Sequence, residues 1–204
     1  MMLNFEQYLA ERTGSSAGQQ TKRKVNIEEL KQMIANKDSS IANVDVSEIT
    51  SMSALFKNSD FGGSWTADLS EWDTSKVEDM SWMFEGCKEL TKVELPHTEK
   101  VVNMGSMFDG CTSLKEVSLP HTENVTYMGW MFYGCEKLIK VELSSIENVV
   151  DMSSMFKYCE KLEQNFSSWD ISKVNYTANM FKGCTKMEDA YKDGKRYYPK
   201  GYEQ

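Results

Sequence analysis

The chain is short of positive charge, and it has no long apolar run. Its 204 residues carry 23 Lys and Arg against 31 Asp and Glu, which gives a net charge of -8 at neutral pH. A nucleic-acid-binding protein needs a basic stripe that neutralises phosphates, so this balance argues against nucleic acid as a partner. No apolar run approaches the length of a membrane-spanning helix, and we therefore expect no membrane insertion.

A secretory signal and paired cysteines are also missing from the sequence. Residues 1–6 lack the basic region and apolar stretch that open a secretory signal. The chain has five cysteines, an odd number that cannot pair off completely within it. Free thiols suit a reducing compartment, so both features favour a cytoplasmic location.

A repeat of 24 to 28 residues dominates what is present. A Leu-Phe or Met-Phe pair recurs at spacings of 28, 24, 24, 24 and 25 residues, ending at Phe56, Phe84, Phe108, Phe132, Phe156 and Phe181. Complete units read Met-x-x-Met-Phe-x-Gly-Cys-x-x-Leu-x-x-Val-x-Leu, from Met104 to Leu119 and from Met128 to Leu143. A period between 20 and 29 residues is typical of stacked units that bury a core only together.

Each unit combines two periodicities. Residues at i, i+3, i+4 and i+7 form one face of a short helical segment, as in Met128, Met131, Phe132 and Cys135. Val141 and Leu143 then alternate with charged residues, which is typical of a short strand. We therefore predict an α/β repeat fold for residues 45–190: a leucine-rich-repeat solenoid with short parallel strands on one side and short helical turns on the other.

One cysteine recurs at the same position of successive units, at Cys87, Cys111, Cys135, Cys159 and Cys184. Such a column suggests a metal or disulfide ladder, but a tightly packed solenoid also uses Cys as a small buried apolar residue. No Cys-x-x-Cys pair supports a zinc site. We expect the cysteines to pack in the core, and we predict no cofactor.

The two ends differ from the repeats. Residues 1–21 are predicted to be a flexible N-terminal segment, because residues 13–20 are rich in Gly, Ser and Gln. Residues 22–44 are predicted to be an N-terminal helical cap, with Asn26 capping a helix that begins at Ile27 and Glu29 completing a capping box. Residues 191–204 are basic and rich in tyrosine, and they form a C-terminal tail or cap.

Two surfaces are candidates for partner binding. On the strands, the predicted outward residues include Lys92, Glu94, Glu116, Lys140 and Glu142. Opposite charges one unit apart favour a fixed register, and a polar face of mixed charge suits a protein ligand better than a small molecule.

On the helical side, Trp82 and Trp130 are predicted to point away from the buried face, with Tyr133 near Trp130. Exposed tryptophans are frequent interface anchors. The alternative is that both pack against the neighbouring turn.

The histidines are the remaining candidates for chemistry. His97 and His121 occupy the same position of neighbouring units, next to the equivalent Asp73. Two stacked imidazoles could hold a divalent ion, but Leu-Pro-His-Thr-Glu is also a turn sequence that duplication would copy. No nucleophile or acid partner converges on them, so we predict no metal site and no catalytic residue.

The repeat resembles that of the BspA-like bacterial leucine-rich-repeat family, whose units read Trp-Asp-Thr-Ser-Lys-Val-x-x-Met-Ser-x-Met-Phe-x-Gly-Cys. Residues 72–87 match this pattern nearly throughout, and it returns at residues 169–174 and 180–184. The resemblance implies a non-enzymatic protein that binds another protein, and it makes a cell-surface or adhesion role the leading hypothesis. The alternative is an intracellular inhibitor, immunity or adaptor protein. A third hypothesis, an enzyme with a His-Asp metal site, rests on the histidines and Asp73 alone.

Overall fold

The computed structural model describes residues 22–60, 65–95, 97–195 and 197–202. The segment predicted to be flexible, residues 1–21, lies outside them. Two α-helices are described, Ile27–Ala35 (α1) and Thr185–Lys192 (α2), and a 3-10 helix covers Ser39–Asn43. The strands are Arg23–Lys24 (β1), Val44–Asp45 (β2), Trp65–Asp68 (β3), Leu90–Glu94 (β4), Glu116–Leu119 (β5) and Lys140–Leu143 (β6).

Helix α1 begins where the sequence predicts. The side chain of Asn26 accepts a hydrogen bond of 2.9 Å from the backbone N–H of Glu29, which confirms the N-cap. The Glu29 carboxylate pairs with Arg23 instead of completing the capping box. The inner face of α1, formed by Leu30, Met33 and Ile34, is buried.

All described strand pairs are parallel. β1 pairs with β2, and β3, β4, β5 and β6 form a second sheet in chain order. Val93, Val117 and Val141 lie side by side across β4, β5 and β6, and all three are buried. Their neighbours in sequence are exposed, as expected from the alternation of a strand.

Successive repeats, called units here and numbered 1 to 6 by their phenylalanines from Phe56 to Phe181, share one core. The six rings stack with centroids 5.2 to 5.6 Å apart. Outside the sheet, single parallel bridges link the units at Ser51, Asp79, Asn103, Tyr127, Asp151 and Tyr176. Each unit therefore contacts the next at a ring and at a bridge, and units 1 to 4 also pair through the sheet.

The segments predicted to be short helices are turns. In unit 2, Trp82 and Gly86 have left-handed backbone, with φ of 56° and 71°. The N–H groups of Trp82 and Phe84 donate to Gly105 and Met107 of unit 3, at 3.0 and 2.9 Å. Because alternate N–H groups bond to the neighbouring unit, they are not available for the i to i−4 bonds of a helix. Two consecutive turns bring the same i, i+3, i+4 and i+7 side chains inward.

The C-terminal residues cover the last unit. Helix α2 spans the predicted boundary between residues 190 and 191. The rings of Tyr198 and Tyr202 pack edge-on against Phe181, with centroids 5.3 and 5.2 Å away. Lys200 forms a parallel bridge with Asp170. The described part of the predicted tail thus packs as a cap. No helix within the described residues is both long and apolar enough to cross a membrane.

Candidate protein-binding surfaces

The strand face comprises the outward side chains of β4, β5 and β6. Period-two alternation places Lys92 and Glu94 on β4, Glu116 and Ser118 on β5, and Lys140 and Glu142 on β6, and all six are exposed. The register aligns Lys92, Glu116 and Lys140 in one row, and Glu94, Ser118 and Glu142 in the next. The structure therefore brings together the five charged residues predicted for this face.

The ion pairs described on the strand face join residues i and i+2 of the same strand. Lys92 Nζ lies 2.5 Å from Glu94 Oε1, and Lys140 Nζ lies 2.7 Å from Glu142 Oε1. The hydrogen bond between Lys140 and Glu142 raises the pKa of the lysine and lowers that of the glutamate. The charge of Glu116 on the neighbouring strand also raises the pKa of Lys140, as a smaller cause. Residues i and i+2 of a strand lie on the same face, and the lysine and glutamate side chains are long enough to span the distance between them.

The strand face contains a shallow depression of about 310 Å³. Ser70 and Pro120 line it together with the charged residues of the face. Ser118 lies between Glu94 and Glu142 in the second row. Because the Ser118 side chain is short, the carboxylates of Glu94 and Glu142 border the depression and give it an anionic rim here. At the other end, Lys92 and Lys140 flank Glu116.

The turn face comprises the outward side chains of the turns. Trp82 and Trp130 are 45 % and 39 % exposed, so neither is buried against a neighbouring turn. Tyr133 is half-buried and meets Tyr158 edge-on, with ring centroids 5.5 Å apart. The Lys157 Nζ lies 5.5 Å from the Tyr133 ring and 5.1 Å from the Tyr158 ring. At such distances an ammonium group is attracted to the ring faces.

Sequence reasoning missed Tyr158, Lys157 and Asp109 on this face. Tyr158 has left-handed backbone, φ 64°, at a position that is Gly86, Gly110, Gly134 and Gly183 in other units. An alignment of the units against one another shows this exception. Asp109 is half-buried, and its burial together with the charge of Glu85 raises its pKa to about 6. Lys57 forms a 2.7 Å ion pair with Glu85.

The histidines lie near each other and share a carboxylate. His97 Nδ1 and His121 Nε2 each lie 3.6 Å from Glu99 Oε1. Asp73 bonds instead with Ser75, whose side chain and N–H lower the pKa of Asp73, with a smaller contribution from His97. The residues described contain no group of three His, Cys, Asp or Glu arranged to hold a metal ion.

The histidine backbone also helps to fix the turns. The hydroxyls of Thr74 and Thr98 donate to the carbonyl oxygens of His97 and His121, both at 2.6 Å. These bonds link neighbouring units and favour the interpretation of Leu-Pro-His-Thr-Glu as a turn.

The five cysteines are free and buried. Each thiol donates to the carbonyl oxygen of the phenylalanine in the preceding unit, at 2.8 to 3.1 Å. Burial raises the pKa of Cys87 and Cys184 to about 12, and raises the pKa of the other three well above its ordinary value. A thiol that stays protonated is a poor nucleophile and a poor metal ligand. Buried thiols of this kind do not discriminate between reducing and oxidising compartments.

The shared core and the two outward faces define the class of the protein: a repeat protein whose units pair in parallel, one with the next. Residues 25–146 and 102–195 match the family described as "Mycoplasma protein of unknown function, DUF285". These overlapping matches span most of the chain, and the chain belongs to this family. No curated protein and no solved structure matched it.

Proposed function

We propose that this chain is a non-enzymatic leucine-rich-repeat solenoid whose strand face binds another protein. The observation that carries the proposal is the charged outward face of β4, β5 and β6, which forms an open depression. Parallel sheets normally have both faces covered by other elements. A parallel sheet with one face kept polar and exposed is suited to covering by a partner.

The solenoid architecture is supported by the contacts between units. The rows of Val93, Val117 and Val141, the stacked phenylalanine rings and the ladder of single bridges all advance by one unit at a time. Repeat proteins of this kind stack units that each contact their neighbours, and their extended surfaces serve in recognition.

The ion pairs within the strand face can be replaced by ion pairs with charged side chains of a partner. The pairs Lys92–Glu94 and Lys140–Glu142 are solvent-exposed, and such pairs contribute only about 0–1 kcal/mol. A partner side chain can therefore replace one member at little cost. A basic side chain fits over Ser118 between Glu94 and Glu142, and an acidic side chain fits near Lys92 or Lys140. This arrangement suits a protein segment with both charges.

The resemblance to BspA-like proteins supports a surface or adhesion role as the specific form of this function. Under this proposal, the partner is a host or matrix protein. An intracellular partner would favour the inhibitor, immunity or adaptor role instead.

The test compares capture by wild-type protein with capture by two strand-face variants, Ser118→Trp and Glu142→Lys. Ser118→Trp fills the depression and Glu142→Lys reverses its anionic rim. Glu136→Lys makes the same charge change at an exposed residue outside the strand face and serves as the matched control. Circular dichroism and thermal unfolding establish that each variant folds. Baits are exposed to extracts of the source cell and to extracellular-matrix proteins.

We expect at least one protein to be captured equally by wild type and Glu136→Lys, and roughly tenfold less by both strand-face variants. The proposal is wrong if folded Ser118→Trp and Glu142→Lys capture the same proteins in the same amounts as wild type.

A further inference from the structure

The turn face has two tryptophans in a strained backbone conformation. Trp82 and Trp130 both have φ of 56°, in the left-handed region that bulky residues avoid at a cost on the order of 1 kcal/mol or more. The equivalent position in the other units is Ala54, Ser106, Ser154 and Asn179. The turn therefore forms with a small residue or with Asn, and folding does not require tryptophan. At Trp82 and Trp130, the chain combines this strained backbone conformation with an exposed aromatic side chain.

A second column of the turn face has an ordered charge pattern. The residue before the glycine position, or its equivalent, is in turn Lys57, Glu85, Asp109, Tyr133, Lys157 and Lys182 in units 1 to 6. Two acidic residues precede Tyr133 and two basic residues follow it. Rotation by 180° about Tyr133 superimposes the acidic half of the column on the basic half. Over units 2 to 6 the column is complementary to itself when two copies run antiparallel, and Lys57 of unit 1 has no counterpart.

The centre of this pattern is aromatic. Unit 4 contributes both Trp130 and Tyr133, and Tyr133 is held against Tyr158 and the ammonium group of Lys157. The backbone N–H of Trp130 donates to Ser153 of unit 5 at 2.9 Å, which fixes the turn that presents the indole. A fixed aromatic centre flanked by charges is the usual anatomy of a protein interface.

We propose that the turn face binds a second copy of this chain in an antiparallel dimer whose two-fold axis passes through unit 4. Trp130 and Tyr133 face the same residues of the partner copy. Asp109 lies opposite the partner copy's Lys157, and Glu85 opposite its Lys182.

The spacing of the units agrees with this arrangement. Units repeat at 5.2 to 5.6 Å along the core, as measured between phenylalanine rings. Units 3 and 5 are equidistant from unit 4, so Asp109 and Lys157 come to the same level in both halves of the dimer. An interface of this symmetry closes on itself and does not propagate into a fibre. It also leaves both strand faces open, so the dimer would present two copies of the proposed binding site.

The test measures self-association of the full chain by sedimentation equilibrium over a series of concentrations. Trp130→Ser introduces the residue that units 3 and 5 already have at that position, so it should fold. Asp109→Lys and Lys157→Asp each reverse one charge, and the double variant restores complementarity with the positions exchanged. Lys140→Glu on the strand face is the control. Circular dichroism checks the fold of every variant.

We expect wild type and Lys140→Glu to dimerise alike. Trp130→Ser and each single charge reversal should raise the dimer dissociation constant at least about tenfold, and the double variant should recover most of that loss. A wild-type chain that stays monomeric up to about 200 µM overturns the proposal, even if the turn face captures a different protein. Unchanged dimerisation of Trp130→Ser, or a double variant no better than the single ones, also overturns it.

This outcome is separable from that of the strand-face proposal. Trp130→Ser should dimerise at least about tenfold more weakly and still capture the strand-face partner, whereas Ser118→Trp should lose that partner and dimerise like wild type.

Discussion

The Sγ atom of Cys135 lies 3.1 Å from the carbonyl oxygen of Phe108 in the preceding unit, and the thiol donates a hydrogen bond across the boundary between units. Cysteine at this position thus fills a small apolar site and also supplies a donor. The backbone N–H of Cys111 bonds to the same oxygen at 3.0 Å, so the thiol is its second donor.

If the thiol hydrogen bond contributes to the free energy of unfolding, Cys135→Ser should be at least as stable as Cys135→Ala. The serine hydroxyl retains a donor for Phe108, whereas alanine removes the donor and leaves a small cavity. We expect each variant to lose about 1–2 kcal/mol in the free energy of unfolding, measured by urea denaturation. A serine variant clearly less stable than the alanine variant would show that the site selects only for a small apolar group.

A second prediction concerns the edge of the four-stranded sheet. The Gln164 side chain accepts from the Val141 N–H and donates to the Val141 carbonyl oxygen, both at 2.8 Å. One amide group thus occupies the bonding positions that another strand would use, and exposed strand edges are prone to aggregation. Gln164→Ala should cost about 1–2 kcal/mol and speed hydrogen exchange at the Val141 amide.

Gln164→Glu is the matched variant, since a carboxylate of the same shape accepts but cannot donate. It should destabilise the protein at pH 7 and recover, relative to wild type, at a pH low enough to protonate it. Equal stability of wild type and Gln164→Glu at pH 7 would mean that the bond to the Val141 carbonyl oxygen contributes nothing.

The sequence predicts the core well because each unit repeats the same inward residues. Period-two alternation correctly places Val117 and Val141 inside and Glu116 and Lys140 outside. The i, i+3, i+4 and i+7 pattern misleads on the turns, since two consecutive tight turns bring the same side chains inward as about two turns of an α-helix would. What separates them is the bond from Trp82 to Gly105 of the next unit, and one unit read alone does not contain that bond.

The sequence predicts where the candidate surfaces lie, but it does not predict which side chains contact one another there. Trp82 and Trp130 are recognisable as outward residues from their place beside the Met-Phe pair. The cluster of Tyr133, Lys157 and Tyr158 forms only when units 4 and 5 stack, and the bond from Gln164 to Val141 arises where unit 5 departs from the repeat. Such features depend on differences between units, which an averaged repeat pattern hides.

A third prediction concerns the packing of Gly105 in unit 3 against Tyr127 in unit 4. A Cβ atom added at Gly105 would lie 2.3 Å from Cε1 of Tyr127 in the next unit. Other units have Ser53 and Ser81 at this position, where the facing residues are the smaller Asp79 and Asn103. Gly105→Ser should therefore cost about 1–2 kcal/mol in the wild-type background. In a Tyr127→Asn background, which copies Asn103 of unit 3, that cost should vanish.

The coupling free energy from this double-mutant cycle should reach about 1 kcal/mol by urea denaturation. If Gly105→Ser costs the same in both backgrounds, the glycine is required by its own backbone and not by the tyrosine ring.

The last prediction uses the raised pKa of Asp109, which is about 6 because of burial and of the nearby Glu85. The ordinary value is 3.8, so the folded chain binds this proton more tightly than the unfolded chain does. Stability should then fall as pH rises from about 4 to about 6, and the ionised carboxylate should remain destabilising above that range.

Asp109→Asn removes the charge. At pH 7.5 it should raise the free energy of unfolding by on the order of 1 kcal/mol, after allowance for solvent screening of a half-buried group. At pH 3 the two proteins should be equally stable, because aspartate is then protonated in both states. The comparison is best made in a Trp130→Ser background, so that self-association does not contribute, with the exposed Glu136→Gln as control. A stabilisation by Asp109→Asn that is the same at pH 3 and pH 7.5 would show that packing, and not the carboxylate charge, distinguishes the variant from wild type.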